Sequence, residues 1–389
     1  MANFIELKNI TYKYNEHAEP ALQDIHMTVK SGEWISVIGP GSAGKSTLCR
    51  LLCGVLQSWP EGSLSGKYWL DGMNQTAGTA IDFAGKIGVV FEDPEVSIVQ
   101  DAVEDEIAFG PENMQVDPAE IERRVDEALL AVDLLHLKKR STHALSGGQM
   151  QRVNIASMLA MKPQIIILDD AAANLDHESS SRLLNTLKEL HKQGHTIISL
   201  SSRYNEDEPS DKIYVLHKGR IVLQANRAEL LQQHSGKLQQ LGCLPDSAAK
   251  KQYVYKARKE QSAPLLKANN LSYSYSMSGD AERLPVLHQV NVIVEEGDFL
   301  IVTGPNGAGK TTLGKLIAGM LPSEECAIEL LGKPLEKWDQ AALAEMVGYV
   351  FQMPEHQFVA DTVLEECAYT LQARAQQIKD KNDRIRVMK

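Results

Sequence analysis

The feature that most limits what this chain can fold into is that it contains one pattern twice. Residues 4–56, FIELKNITYKY through GEWISVIGPGSAGKSTLCRLLCGVL, recur as 265–321, LLKANNLSYSY through GDFLIVTGPNGAGKTTLGKLIAGML. Further on, VVFEDPE (89–95) pairs with YVFQMPE (349–355) and VEDEIAF (103–109) with VLEECAY (363–369), both at an offset of 260. A repeated pattern implies a repeated architecture, and 389 residues exceed the roughly 250–300 that one core serves. The expected domains are 1–240, a linker at 241–263, and 264–389. The first copy carries LSGGQ at 145–149, whereas the offset carries Ser146, Asp169 and Ser202 to positions 406, 429 and 462, past Lys389. The second domain is therefore expected to hold the N-terminal part of the pattern only, truncated before LSGGQ.

Composition narrows the class. With 43% hydrophobic and 23% charged residues, the chain reads as globular. No window approaches the roughly 20 apolar residues of a membrane-spanning helix, and MANFIELKNI lacks a secretory pattern. A cytoplasmic protein that meets a membrane only through partners is the expectation. Fifty-one acidic against 40 basic residues give a net charge of -11, which opposes loose binding to nucleic acid. Cys49, Cys53, Cys243, Cys326 and Cys367 form no C-x-x-C pair, so reduced thiols are expected, with Cys49 and Cys53 packed in the core. RAELLQQHSGKLQQL and the cluster Lys250, Lys251, Lys256, Arg258 and Lys259 read as a linker whose charges are solvated.

The chemistry sits in three motifs. GPGSAGKST (Gly39, Pro40, Gly41, Ser42, Ala43, Gly44, Lys45, Ser46, Thr47) follows the apolar WISVI and precedes the helical pattern LCRLLCGVL. GPNGAGKTT (Gly304, Pro305, Asn306, Gly307, Ala308, Gly309, Lys310, Thr311, Thr312) repeats it. Glycines let backbone N–H groups converge on phosphate oxygens at a helix N-terminus. Lys45 and Lys310 neutralise outer phosphates, and the Ser46 and Thr311 hydroxyls can ligate magnesium. Both copies are expected to bind a nucleoside triphosphate. Ser42 stands where the second copy has Gly307, and its side chain is expected to crowd the loop. In QIIILDDAAANLD (164–176), the apolar IIIL reads as a buried parallel strand with Asp169 at its C-terminal end near magnesium.

The glycine-rich loop, LSGGQMQRV about a hundred residues later, IIILDD and NLD together resemble the ATP-binding-cassette (ABC) ATPases, over about 1–240 and 264–378. The resemblance implies an α/β P-loop fold with an antiparallel β subdomain and a helical subdomain in each copy, and ATP and Mg2+ as cofactors. It implies that Ser146, Gly147, Gly148 and Gln149 bind the γ-phosphate held by another cassette's loop; a bare N-cap would need neither the second glycine nor Gln149. Asp170 stands where the family has a catalytic glutamate, Ser202 where it has a histidine, and Glu92 where it has a glutamine. Three departures around one phosphate imply a degenerate site in the first copy; the second retains Gln352. Tyr14 and Tyr275 resemble the family's adenine-stacking aromatic, while strand-face packing is the other reading, because Tyr12 and Tyr273 neighbour them and one side of a strand must face inward. Cassettes of the family pair head to tail, so one site would use Lys45, Asp169 and Asp170 and the other would join Lys310, Thr311 and Gln352 to Ser146 and Gly148.

FEDPEVSIVQDAVEDEIAFGPEN (91–113) resembles the corresponding segment of energy-coupling-factor importers, whose fused ATPases for hydroxymethylpyrimidine/thiamine uptake are similar in layout. That resemblance implies a membrane-embedded coupling subunit, a substrate-capture subunit, and a peripheral position on the cytoplasmic face of the cell membrane, with a vitamin or a metal ion as cargo. Two alternatives are a soluble tandem cassette acting on ribosomes and an ATP-binding remnant with little hydrolysis. The acidic balance and AFGPEN favour the importer.

Overall fold

The computed structural model describes residues 4–173, 175–244, 264–276, 283–322, 327–351 and 357–369. Gln352, Cys326 and the basic cluster at 250–259 lie outside the described residues. The chain divides into two compact units, Met1–Arg258 with Gly304–Gly307, and Lys259–Thr303 with Ala308–Lys389.

In the first unit the order is β1 (Ile5–Lys13), β2 (Leu22–Val29), β3 (Trp34–Ile38), α1 (Lys45–Leu52), β4 (Ser63–Leu70), β5 (Met73–Asn74), α2 (Ala80–Phe83) and β6 (Ile87–Val90). Then come α3 (Val103–Asn113), α4 (Pro118–Ala131), α5 (Gly147–Ala160), β7 (Ile165–Asp169), α6 (His177–Lys192), β8 (Thr196–Ser201), β9 (Lys212–His217), β10 (Arg220–Ala225), α7 (Arg227–Gln233) and α8 (Ser235–Gln240). An antiparallel sheet runs β2-β1-β4-β5, and a six-stranded sheet runs β10-β9-β3-β8-β7-β6. In the latter β3 lies parallel between β8 and β9, while β6 pairs parallel with β7.

Every residue of β3 and β7 is buried, as a strand covered on both faces must be. Side-chain alternation then divides β7 between two cores. Ile165 and Ile167 join α1 and the antiparallel sheet through Leu48, Leu51, Ile5 and Tyr12. Ile166 and Leu168 meet the helical face through Val153, Ile155, Leu183 and Leu187. Cys49 and Cys53 lie in the first core, where burial pushes both thiols up. RAELLQQHSGKLQQL, expected as linker sequence although most of it lies inside 1–240, forms α7 and α8. Leu230 and Leu238 are buried against Ile38, Ile213 and Val215, so this amphipathic face closes the first unit's core.

The second unit contains β11 (Leu266–Ser276), β12 (Arg283–Val294), α9 (Lys310–Ile317), β13 (Ile328–Leu330), β14 (Lys333–Pro334) and α10 (Gln340–Met346). Its antiparallel sheet, β12-β11-β13-β14, repeats the arrangement of the first, including a register shift in the leading strand at Ala268/Leu271 as at Leu7/Ile10. Residues 299–303 and 347–350, the counterparts of β3 and β6, belong to no strand among the described residues. Phe299 is 90% exposed and Val350 85%.

Candidate functional site

In both units the glycine-rich loop ends on a left-handed glycine that starts a helix: Gly44 at φ 104° before α1 and Gly309 at φ 88° before α9. A Cβ on Gly44 would stand 2.7 Å from the Ala21 carbonyl oxygen, and one on Gly309 would stand 2.6 Å from Leu287. Only glycine satisfies both the torsion and the approach. Ser42 adopts φ 59° with its side chain exposed, in the conformation Gly307 takes at φ 83°. The expected crowding is thus replaced by backbone strain, because an L-residue in this region costs roughly 1–2 kcal/mol.

Lys45 is buried, and its ammonium donates to the carbonyls of Gly39 (2.9 Å) and Pro40 (3.2 Å) and to Ser202 Oγ (3.4 Å). Alternation along β7 puts Asp169 on the same face as Ile165 and Ile167, toward α1. Its carboxyl is raised by burial, an effect opposed by a hydrogen bond from Ser46, and its Oδ1 is buried with no hydrogen-bond partner. An open carboxylate oxygen beside a hydroxyl is a sparse hard-oxygen set, suited to a cation that keeps waters and takes its other ligands from phosphate.

Asp170 departs from the strand into a left-handed conformation at φ 46°, and both its oxygens are engaged. Ser202 Oγ donates to Oδ2 at 2.7 Å and the Ser202 amide to Oδ1 at 3.2 Å, with Lys45 Nζ 3.9 Å from Oδ2. The Glu92 carboxyl is raised first by partial loss of water and then by Asp170 and Asp169, against the pull of Lys45. The structure brings Lys45, Ser46, Asp169, Asp170, Ser202 and Glu92 close to one another.

Ser146 caps α5, accepting from the Gln149 amide at 3.4 Å, while Gln149 Oε1 accepts from the Ser146 amide at 2.9 Å. This reciprocal capping box gives Gln149 a structural task, contrary to the expectation that a cap would not need it. On the next turns, Gln151 Nε2 donates to the carbonyls of Phe91 and Ala171, and Asn154 Nδ2 to that of Pro94. These two residues, which the motifs did not single out, tie α5 to the segment carrying Glu92 and to the end of β7. On a helix that also carries Gln149, Arg152 and Ser157, these two polar side chains give no signal of their own.

The hydroxyls of Tyr14 and Thr47 lie 3.2 Å apart, and those of Tyr275 and Thr312 lie 3.4 Å apart. Tyr12 and Tyr273 are buried, each standing edge-on to its partner with centroids 5.1 Å apart. Both glycine loops thus have a tyrosine beside the helix they start.

A six-stranded α/β sheet with a glycine loop, a helix-starting lysine and an acidic strand end defines a P-loop ATPase of the ABC type. The model of the ABC transporter family matches residues 22–173 and 287–388, and the chain belongs to that family, whose ATPases couple ATP hydrolysis to transport. An ABC transporter ATP-binding protein of Methanosarcina mazei is 30% identical over 410 residues, covering 95% of this chain and 70% of that protein. The Bacillus subtilis ATP-binding protein YkoD, named for HMP/thiamine import, is 30% identical over 398 residues, covering 96% and 72%. Among solved structures, cbiO1 of Clostridium perfringens, part of the ABC transporter complex cbiONQ, has a TM-score of 0.52 and 31% identity, covering 62% of this chain and 96% of its own. The dimeric cassette MJ0796 bound to ADP and Pi has a TM-score of 0.51 and 25% identity, covering 57% and 98%. Among the described residues no helix is long and apolar enough to cross a membrane.

Proposed function

We propose that this chain is the ATP-binding, energy-coupling subunit of an importer of the energy-coupling-factor type, with hydroxymethylpyrimidine or thiamine as cargo. The name of YkoD supports import, and the place of cbiO1 in an ABC transporter complex supports a role in transport. The surface beside α3 supports a membrane-embedded coupling subunit as partner. There the buried Glu106 carboxylate accepts from the amides of Val99 and Gln100, each at 2.8 Å, and the held loop presents Val96 and Val99, 78% and 62% exposed. Exposed apolar residues on a pinned loop suit docking of a protein partner.

In this reading the loops at 39–47 and 304–312 bind ATP. Ser46 and Asp169, and Thr311 in the second unit, hold Mg2+, which when bound neutralises charge on the phosphates. The first-unit site is retentive, and the observation that carries this is the engagement of both Asp170 oxygens by Ser202. A carboxylate already accepting two hydrogen bonds, and one methylene shorter than glutamate, is poorly placed to take a proton from water.

The experiment is ATP turnover by the Asp170→Asn variant in a Lys310→Ala background. Turnover within about twofold of the background shows that Asp170 is not the base; a fall on the order of a hundredfold overturns the retentive site. For the cargo, uptake of labelled hydroxymethylpyrimidine and thiamine by cells expressing the chain with its membrane subunits should vanish with Lys45→Ala plus Lys310→Ala. Uptake unchanged by that pair of substitutions removes the importer reading.

A further inference from the structure

We propose that Trp59 is a second nucleobase-contacting residue of the first-unit site, forming an aromatic corner with Tyr14 that has no counterpart in the second copy. The inference rests on the reading of loop 39–47 as a nucleotide site and extends it from the phosphates to the base. Three observations carry it.

The first is placement. The Tyr14 hydroxyl lies 3.2 Å from Thr47 Oγ1 and accepts from Arg50 Nη1 at 3.2 Å. Both partners are on α1, the helix that begins with the phosphate-facing Lys45, so the ring is tied to the helix that would hold the triphosphate.

The second is shape. Trp59 and Tyr14 have centroids 5.7 Å apart and planes at 80°, so they make a corner and not a closed stack. A planar base lying on one ring meets the other with its edge, and both face-to-face and edge-to-face contacts between aromatic systems are favourable. Trp59 is 44% exposed and Tyr14 half-buried, which leaves aromatic surface open to a ligand.

The third is support. The Trp59 amide donates to the Leu56 carbonyl, and its own carbonyl accepts from Gly62 at 3.1 Å. A Cβ on Gly62 would stand 2.4 Å from the Tyr12 hydroxyl, so this turn is packed onto the buried tyrosine beside Tyr14. The indole is held by a short turn between α1 and β4. In the second copy, aligning GVL (54–56) with GML (319–321) sets Glu324 opposite Trp59. The repeat keeps the tyrosine and lacks the tryptophan.

The test separates base from phosphate. In a Lys310→Ala background, equilibrium binding of ATP and of inorganic tripolyphosphate is measured for Trp59, Trp59→Phe and Trp59→Ala, with circular dichroism to confirm folding. Trp59→Ala should weaken ATP on the order of tenfold, the size of a lost base–aromatic contact, and leave tripolyphosphate within twofold; Trp59→Phe should recover most of the loss. ATP should also quench tryptophan emission in the parent and not in Trp59→Phe. An unchanged ratio of ATP to tripolyphosphate affinity in Trp59→Ala overturns the corner while leaving the nucleotide site standing. Failure of the parent to bind either ligand, with Lys45→Ala making no difference, removes the nucleotide reading and the corner with it.

Discussion

Trp34 and Phe299 occupy the same place in the two copies, the first residue of WISVI and of FLIVT, yet Trp34 is 0% exposed and Phe299 90%. Val37 and Val302 differ in the same way, at 0% and 47%. The partners of β3 are β8 and β9, drawn from residues 196–217, whereas residues 299–303 pair with no strand among the described residues. The loop and helix that follow need no such partners. In both units the helix begins at the lysine, and Leu48 and Leu51 match Leu313 and Leu316 as buried residues. The difference separates structure encoded within some ten residues from structure that exists only when distant strands arrive. A parallel strand can satisfy none of its backbone hydrogen bonds within itself, whereas a helix satisfies most of its own.

The largest expected effect attacks that contrast directly. Trp34→Ala should destabilise the first unit by about 3–5 kcal/mol, the usual cost of emptying a core aromatic site. Phe299→Ala should alter stability by less than about 0.5 kcal/mol, as an exposed residue does. Denaturant unfolding followed by far-ultraviolet circular dichroism reads both. Equal losses would mean that Phe299 is buried in solution and that the two strand segments are equivalent after all.

A second pair tests a contact the copies share. Glu106 accepts from the amides of Val99 and Gln100, and Glu366 accepts from those of Val359 and Ala360 at 2.9 Å each. Each carboxylate pins the loop before its own helix, an arrangement local enough to form without the parallel sheet. Glu106 is the more buried, 5% exposed. Glu106→Ala should cost about 1.5–3 kcal/mol, the range for hydrogen bonds to a charged group, and Glu366→Ala about 1 kcal/mol. Amide hydrogen exchange at Val99 and Gln100, and at Val359 and Ala360, should rise in the matching variant only.

Much of this was legible before the structure, for reasons that differ by element. GPGSAGKST announced loop and helix because torsion and close approach at Gly44 admit no side chain. IIIL announced a two-sided strand because nothing polar interrupts it. The Asp170–Ser202 pair was named as two separate departures, but their mutual hydrogen bonds depend on residues 32 apart that only the β7–β8 pairing brings together. Gln151 and Asn154 escaped notice because a lone amide on a helix has no spacing rule; their task is set by carbonyls some 60 residues away. Trp59 stayed silent for the same reason, being one aromatic in a turn.

Ser42 and Gly307 offer a reciprocal exchange. Ser42→Gly relieves a left-handed conformation that costs roughly 1–2 kcal/mol but gives the unfolded chain extra freedom worth about 0.4–1 kcal/mol. The net should be a gain of about 0.5–1 kcal/mol from the first copy's loop, and Gly307→Ser should lose a similar amount in the second copy's loop. Calorimetric unfolding of the two single variants and the double variant decides it, with the double close to the parent. A Ser42→Gly variant no more stable than the parent would show that the loop carries no strain at φ 59°.

The smallest effect concerns Glu92, whose counterpart in the repeat is Gln352. Its carboxyl is held above the ordinary range by partial desolvation and by Asp170 and Asp169, so between its unfolded and folded values the native state binds more protons than the unfolded chain. Stability contributed by that proton is full below the unfolded value and is lost as pH rises through the folded one. At neutral pH an ionised Glu92 beside two further carboxylates is a net burden, which Glu92→Gln removes. Because Glu92 keeps much of its surface in water, screening holds the gain below about 1 kcal/mol. Midpoints of thermal unfolding measured from pH 4 to pH 8 should fall with rising pH more steeply in the parent than in Glu92→Gln, with the variant ahead only at the upper end. Parallel curves would place the Glu92 carboxyl away from Asp169 and Asp170, and the first-unit site would then differ from the repeat's Gln352 by a neutral substitution alone.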